Sequence, residues 1–164
     1  KTVGQIPFNF PTKPNAQVDG GRNKGLDGNM SRVNGPLYPF GYGLSYTNFK
    51  YKKKSITQSN DTVDITFNLS NVGKYDGDEV AQVYVRYPET GTYMPLKQLK
   101  GFSRVHLKKG KSADITISIP KKELRYWDEK TRQFVTPTGE YVFQVGGSSE
   151  NISIEETIKI STVS

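Results

Sequence analysis

The sequence contains no cysteine and a single histidine, His106, among its 164 residues. The absence of cysteine excludes a thiol nucleophile, a thiolate zinc site and an iron–sulfur cluster. The apolar runs are only a few residues long, whereas a helix that crosses a bilayer needs about 20. We therefore expect no membrane partner. The sequence also starts at Lys1 without an initiating Met or a signal-peptide core, which predicts a chain that has been processed or cut from a longer polypeptide.

The charge is strongly one-sided, since 23 Lys and Arg face 16 Asp and Glu, for a net charge of +7. Lysines on the edge strands of a sheet protect it against edge-to-edge aggregation. Because the basic residues fall in short separate groups, we interpret them as solvated, protective charge and expect no nucleic-acid partner. The alternative is a polyanion site, whose affinity would fall steeply with salt. The groups are Lys50, Lys52, Lys53 and Lys54; Lys108, Lys109 and Lys111; and Lys121 and Lys122.

The first 36 residues have almost no apolar periodicity and contain ten Gly or Pro. They cannot build a core of their own. Within them, the stretch from Asp19 to Pro36 is typical of a long loop. Loops of this length inside a compact domain are unusual and tend to be functional or to connect domains.

From about Phe49 onward, apolar and polar residues alternate with a period of two, which predicts half-buried strands. Glycine-containing turns separate these segments, and Gly110 suits a tight reversal. Apart from one possible helical turn around Lys121 to Arg125, no helical period is present. Six to eight short strands without crossover helices predict an all-β, antiparallel sandwich of immunoglobulin or fibronectin type III kind. The inward-facing sets are Val63, Ile65, Phe67 and Leu69; Ala81, Val83, Val85 and Tyr87; Ile115, Ile117 and Ile119; and Tyr141, Phe143 and Val145.

The residues that could carry chemistry do not converge on a site. His106 lies in a predicted strand with no nucleophile near it, which favours a surface or packed histidine. Asp76, Asp78 and Glu79 have the oxygen ligands and spacing of a partial calcium loop, but Asp and Gly are also what a turn requires, and we favour the turn. The sequence therefore predicts no catalytic, cofactor-binding or metal-binding residue.

Aromatic residues are abundant, with 10 Tyr, 8 Phe and 1 Trp. Exposed rings can stack on sugars, whereas buried rings fill the space between two sheets. For Trp127 we favour packing in the core or against another domain. Four Asn-X-Ser/Thr sequons occur, and they matter only if the source glycosylates secreted proteins. They start at Asn29, Asn60, Asn68 and Asn151.

Residues 36–49, PLYPFGYGLSYTNF, closely resemble the segment that leads into the C-terminal domain of glycoside hydrolase family 3 enzymes. Further motifs of that domain follow in order along the chain, and residues 3–8 are similar to the end of the family's preceding α/β-sandwich domain. These motifs are NVG at 71–73, GDEVAQVYV at 77–85, PLKQLKGF at 95–102, LKKG at 107–110, LRYWD at 124–128, PTGEY at 137–141 and VGGSS at 145–149.

This resemblance implies a fibronectin type III-like domain over residues 37–164, preceded over residues 1–36 by the tail of the α/β domain and a glycine-rich connecting loop that form an extended strap. In the family, the nucleophilic Asp lies on a (β/α)8 barrel and the acid/base Glu usually lies on the α/β sandwich. Both would precede Lys1, so no catalytic residue can be carried onto this chain. The resemblance to periplasmic bacterial β-glucosidases further implies a periplasmic or secreted parent enzyme, with no cofactor in this part.

The function implied is that of a non-catalytic accessory domain that packs against the catalytic barrel and the α/β-sandwich domain of the same polypeptide. The alternative is a carbohydrate-binding module, in which exposed aromatics such as Tyr93 or Trp127 hold polymeric glycan. For the accessory function we expect a packing surface made of Phe40, Tyr42, Leu44 and Tyr46.

Overall fold

The alternating segments form two antiparallel sheets packed face to face, as seen in a computed structural model that describes residues 10–11, 36–38, 40–43, 45–89, 97–128 and 132–161. One sheet has four strands in the order β11-β10-β5-β6, and the other has three in the order β3-β4-β7. Two short pairs, β1-β2 and β8-β9, complete the architecture. The strands are β1 (Phe10–Pro11), β2 (Pro36–Tyr38), β3 (Phe49–Gln58), β4 (Thr62–Asn71), β5 (Gly77–Arg86), β6 (Gln98–Leu107), β7 (Ser112–Pro120), β8 (Tyr126–Asp128), β9 (Gln133–Val135), β10 (Gly139–Gly146) and β11 (Ile152–Ile160).

Every strand pair is antiparallel, and the predicted all-β sandwich is confirmed. The described residues contain one short helical element, a 3-10 turn over Lys121–Leu124, close to where the sequence suggested a single turn. No helix in the described ranges is long and apolar enough to cross a membrane. The division at residues 36 and 37 stays a prediction, since most of residues 1–36 lie outside the described ranges.

The core lies between the two sheets and follows the period-two pattern. On β4, the inward side chains Val63, Ile65, Phe67 and Leu69 are fully buried. The opposing sheet contributes side chains that are equally buried. Removing one such aliphatic or aromatic side chain from water stabilises the fold by about 1.5–3 kcal/mol. The fully buried residues of the opposing sheet are Ala81, Val83, Val85, Tyr141, Phe143 and Val145.

Tyr141 closes one end of the core with a hydrogen bond that the alternation pattern did not predict. Its buried hydroxyl donates to the Pro137 carbonyl over 2.7 Å, and its ring meets Tyr87 edge-on with centroids 5.5 Å apart. A tyrosine at the start of this strand that bonds backbone a few residues upstream is the tyrosine corner of immunoglobulin-like sandwiches. It fixes the connection that leads into β10.

The lysines of β3 lie on the edge of the three-stranded sheet, as their spacing predicted. All four are exposed. Lys53 forms an exposed ion pair with Glu156 of β11, and Lys54 forms one with Asp114 of β7, both at 2.5 Å. Exposed pairs of this kind contribute little to stability. Their main effect is to keep an edge strand charged and solvated.

The other two lysine groups lie far from each other. Lys111 precedes β7 and Lys121 follows it, so the nine residues of that strand separate them. At about 3.3 Å per residue the separation is about 30 Å. This arrangement favours solvated charge over one continuous polyanion-binding face.

Candidate functional site: a linker clamp

The segment that leads into β3 lies across the outer face of β5, and there the alternation rule fails. Gln82 and Tyr84 alternate with the inward residues of β5, so the period-two pattern predicts that they face solvent, yet each is only 2% exposed. Phe40 and Gly41 cover them, since Phe40 contacts the Tyr84 ring edge-on with centroids 6.5 Å apart. The prediction was wrong because a distant segment, about 40 residues earlier in the chain, removes these polar side chains from water.

The Gln82 amide ties three parts of the chain together. Its Nε2 donates to the Gly41 carbonyl over 3.1 Å and to the Gly147 carbonyl over 2.8 Å. Its Oε1 accepts the Tyr84 hydroxyl over 2.5 Å. Both amide protons therefore have acceptors, which a buried side-chain amide requires. These bonds join three parts of the chain, which are the segment that leads into β3, strand β5 and the β10–β11 turn. We call the segment that leads into β3 the linker.

Tyr84 is a fixed donor in this cluster, because burial raises the pKa of its phenol well above 10 and keeps it protonated. The Lys97 ammonium lies 5.8 Å from the centre of the Tyr84 ring, a cation–π distance. Lys97 also donates to the Ser149 carbonyl. The Ser149 amide in turn donates to the Phe40 carbonyl over 2.9 Å. The linker backbone at Phe40 and Gly41 is therefore bound both by β5 and by the β10–β11 turn.

Glycine is required at position 41 for two reasons. Its φ of +77° lies in the left-handed region that other residues rarely adopt. A Cβ there would also lie 2.2 Å from Gln82 Oε1 and 2.7 Å from the Tyr84 hydroxyl. We call this arrangement the linker clamp. It consists of Phe40, Gly41, Gln82, Tyr84, Gly147 and Ser149.

A second attachment follows a few residues later and explains two of the sequence motifs. The buried Thr47 hydroxyl donates to Asn71 Oδ1 over 2.7 Å. Asn71 Nδ2 donates to the carbonyls of Tyr75 and Leu107 at 2.8 and 3.0 Å. A Cβ on Gly73 would lie 2.0 Å from the Thr47 hydroxyl oxygen, which excludes larger residues. Thr47 of the first motif and the NVG motif at 71–73 therefore form one buried contact.

Between these two attachments lies a polar cleft of about 350 Å³. Its residues include Tyr42, Tyr51, Glu79 and Asn151. The Tyr51 hydroxyl donates to Glu79 Oε1 over 2.7 Å and so bridges the two sheets. Burial raises the pKa of Glu79, although the hydrogen bond from Tyr51 partly opposes this shift. The pKa of Tyr51 is raised as well, first by burial and then by the charge of Glu79.

The chain is similar to known proteins over the region that contains the clamp. Residues 79–149 match the fibronectin type III-like domain family. This range contains the clamp residues of β5 and of the β10–β11 turn. The chain is 34% identical over 149 residues to a probable β-glucosidase D from Aspergillus niger, covering 79% of this chain and 20% of that protein. The chain carries the fibronectin type III-like domain of family 3 glycoside hydrolases.

Two further matches extend the similarity beyond this domain's core. A β-xylosidase from Formosa agariphila is 36% identical over 156 residues, covering 92% of this chain and 20% of that protein. The crystal structure of a β-D-glucoside glucohydrolase from Trichoderma reesei superposes with a TM-score of 0.79 at 28% identity, covering 98% of this chain and 27% of that one. The chain spans about a fifth of the length of the curated relatives it matches.

The carboxylates Asp76, Asp78 and Glu79, for which we favoured a turn over a partial calcium loop, make separate structural contacts. Asp76 accepts the backbone amide of the β6–β7 turn over 2.7 Å. Asp78 accepts from Arg104 and from His106, each over 2.6 Å, and these two bonds lower its pKa, Arg104 most strongly. Glu79 points to the opposite side of the sheet. Within the described ranges no group of three His, Cys, Asp or Glu could hold a metal ion. His106 itself lies on the surface, which is one of the two locations that the sequence favoured for it.

The aromatic residues singled out from the sequence have different locations. Trp127 is 50% exposed and Phe134 is 66% exposed, so Trp127 lies outside the core. Their rings meet at 69° with centroids 5.2 Å apart. Two rings at that angle do not form the flat platform on which a sugar chain stacks. Tyr93, the other candidate for glycan binding, lies outside the described residues.

The predicted packing surface is only partly available to another domain. Tyr46 is 69% exposed, which suits such a contact. Phe40 is instead half-buried against this domain's own sheet, and Tyr42 lines the polar cleft. Leu44 lies outside the described residues. The first aromatic of the motif therefore anchors the linker itself.

Proposed function

We propose that this chain is a non-catalytic accessory domain of a β-glucosidase-type family 3 glycoside hydrolase. In that enzyme it packs against the catalytic barrel and the α/β-sandwich domain and stabilises them. Relatives named β-glucosidase and β-xylosidase that are about five times as long support a larger parent enzyme. A periplasmic or secreted location belongs to the same proposal.

The linker clamp is the observation that carries this proposal. A flexible tether between domains has solvated backbone and no specific contacts. Here the Gly41 carbonyl accepts from the buried Gln82 side chain, the Phe40 carbonyl accepts from the Ser149 amide, and Gly41 is fixed in one conformation. A segment held this tightly restricts the position and orientation of whatever precedes it. That is the property an accessory domain needs if it is to brace its neighbours.

Hydrolysis is assigned to the domains that precede this one in the parent enzyme. Of the carboxylates discussed above, Asp76 and Asp78 are bound to backbone or basic groups, and Glu79 is bound to Tyr51. A glycosidase of this kind needs two carboxylates that flank a substrate. We expect the isolated 164-residue chain to release no nitrophenol from an aryl β-glucoside or β-xyloside, whereas the full-length polypeptide hydrolyses one of them. Activity of the isolated chain that co-purifies with it would contradict the proposal.

The bracing role is tested in the full-length enzyme with two glycine variants. Gly41→Ala places a Cβ against Gln82, whereas Gly110→Ala meets no atom within 4 Å although its φ of +70° is similar. Both variants carry the backbone strain, so Gly110→Ala is the matched control. We expect Gly41→Ala to shorten the half-life of activity at elevated temperature several-fold more than the control. Equal half-lives of the two variants would show that the clamp does not stabilise the catalytic domains.

A further inference from the structure

The outer face of β6 carries exposed apolar side chains directly beside the linker clamp. Phe102 is 68% exposed and Leu99 is 37% exposed. In the β5–β6 register, Phe102 is opposite Gln82 and Leu99 is opposite Tyr84. Residues directly opposite each other in an antiparallel pair share one face of the sheet. Leu99 and Phe102, which we call the β6 strip, are therefore neighbours of the two side chains that hold the linker.

The clamped end of the linker, Phe40 and Gly41, lies on the same face of the sheet as this strip. Gly41 lies over Gln82, and the Phe40 ring packs on Tyr84. The linker contact and the β6 strip are therefore adjacent on one face of the sheet.

Exposed rings of this kind are absent from the described outer face of the other sheet. There the central positions are Thr66, Thr116 and Ser118, small polar residues that suit contact with water. Strand β6 is also the edge of its sheet. A large ring on the outer face of an edge strand is a liability for a soluble domain unless something covers it.

We infer that the β6 strip is the docking surface for the folded domain that precedes the linker in the same polypeptide. The inference rests on the proposed function for the existence of that domain. The contact continues the interface already formed by the linker, and the short clamped connection makes the docking intramolecular, so a small patch suffices. Arg104, 68% exposed and next along the same face, fits a partner surface with an apolar pocket for the Phe102 ring and carboxylates at its rim.

Hydroxyl-radical footprinting with mass spectrometry tests the location of the contact. Oxidation of Phe102 and Leu99 is compared between the isolated 164-residue chain and the full-length polypeptide. We expect oxidation of both to fall at least fivefold in the full-length polypeptide. Tyr75, which is 64% exposed in the β4–β5 turn, is the internal control and should be oxidised equally in both. Equal oxidation of Phe102 in the two samples would overturn the inference, as would equal protection of Phe102 and Tyr75.

A second copy of the chain is the competing occupant, because an edge strand can pair with its own copy. Footprinting the isolated chain over a hundredfold range of concentration separates the two. Protection of Phe102 that grows with concentration, together with a dimer in analytical ultracentrifugation, would assign the strip to self-association and overturn the inference. Protection confined to the full-length polypeptide supports it.

A pair of variants tests whether the contact matters for stability. Phe102→Ser should lower the melting temperature of the full-length polypeptide by a few degrees and leave that of the isolated chain unchanged, since the ring is already exposed there. Tyr75→Ser is the matched control and should change neither. A Phe102→Ser variant that lowers both melting temperatures equally would show a role within the domain and overturn the inference. Aryl-glucoside hydrolysis measured on the same samples tests the proposed function separately, because an inactive full-length polypeptide can still show or lack Phe102 protection.

Discussion

The polar residues on the outer faces of the two sheets have different surroundings. On the three-stranded sheet, Thr66 and Thr116 pair across strands with their hydroxyl oxygens 3.0 Å apart, and the face is polar and open to water. On the four-stranded sheet, Gln82 and Tyr84 occupy equivalent outward positions and are buried. On the first face the polar groups stay in contact with water. The second has become an interface, lined with polar groups whose partners come from the linker.

This difference shows that a buried polar side chain and a solvated one can come from the same alternating pattern. A hydrogen-bonded polar group that faces water contributes little, because water replaces any lost partner. A buried polar group must be satisfied by the protein, and loss of its partner leaves an unpaired donor or acceptor. The sheet that carries the linker should therefore be far more sensitive to outer-face substitutions.

The largest expected loss of stability comes from comparing a substitution on the inner face of β4 with one on its outer face. Phe67→Ala should lower the free energy of unfolding by about 3–5 kcal/mol, because Phe67 is fully buried and packs on Tyr51 with ring centroids 5.7 Å apart. Thr66→Ala, one residue away on the outer face, should change it by less than about 0.5 kcal/mol. Urea denaturation of the isolated chain measures both. Comparable losses would mean that the outer face of this sheet is also covered in solution.

The intermediate effect compares the two outer faces directly. Gln82→Ala should cost about 2–4 kcal/mol, since the Gly41 and Gly147 carbonyls lose their buried donor. Asn68→Ala is the control, because Asn68 is also a hydrogen-bonded amide, bound to Asp114 over 2.7 Å, but it is only half-buried. Its loss should stay below about 1 kcal/mol. If the two amides cost the same in denaturant titrations, the linker does not cover β5 in solution.

The smallest effect compares two adjacent carboxylates on opposite sides of β5. The pKa of Asp78 is lowered by Arg104 and His106, so its contribution is present above the unfolded pKa of 3.8 and is lost as the pH falls through the lower folded value. The pKa of Glu79 is raised by burial, so its contribution is present below the unfolded pKa of 4.5 and is lost as the pH rises through the higher folded value.

Two isosteric variants test whether the charges of Asp78 and Glu79 change stability in opposite directions. At neutral pH, Asp78→Asn should be less stable than the parent chain and Glu79→Gln more stable. Both differences should shrink on acidification. For Glu79→Gln the difference shrinks as the pH falls through the raised folded pKa and is gone by about pH 4.5, whereas for Asp78→Asn it shrinks only below 3.8. Melting temperatures measured between pH 3 and 8 give the two curves. A Glu79→Gln variant that is less stable than the parent chain at neutral pH would show that the hydrogen bond from Tyr51 outweighs the burial of the Glu79 charge.

Much of the fold was predictable because it depends on local pattern. On β4 and β7, residues of alternating polarity have one buried and one solvated face, so the period of two identified both strands and their inward sides. The lysines of β3 indicated an edge strand for a similarly local reason. The order of short motifs along residues 36–149 indicated the family. The position of Trp127 was harder to predict, because an aromatic ring suits a core and an exposed surface equally well.

The linker clamp depended on contacts that no local pattern contains. Gln82 looks like the polar member of an alternating pair, and only its contact with Gly41, 41 residues earlier, shows that it is buried. The same holds for Asn71, whose role requires Thr47 to lie against it. The sequence by itself determined the all-β class, the inward faces and the family. The tertiary structure decided which polar residues are structural, because burial is set by the segment that covers a residue, and that segment can come from anywhere in the chain.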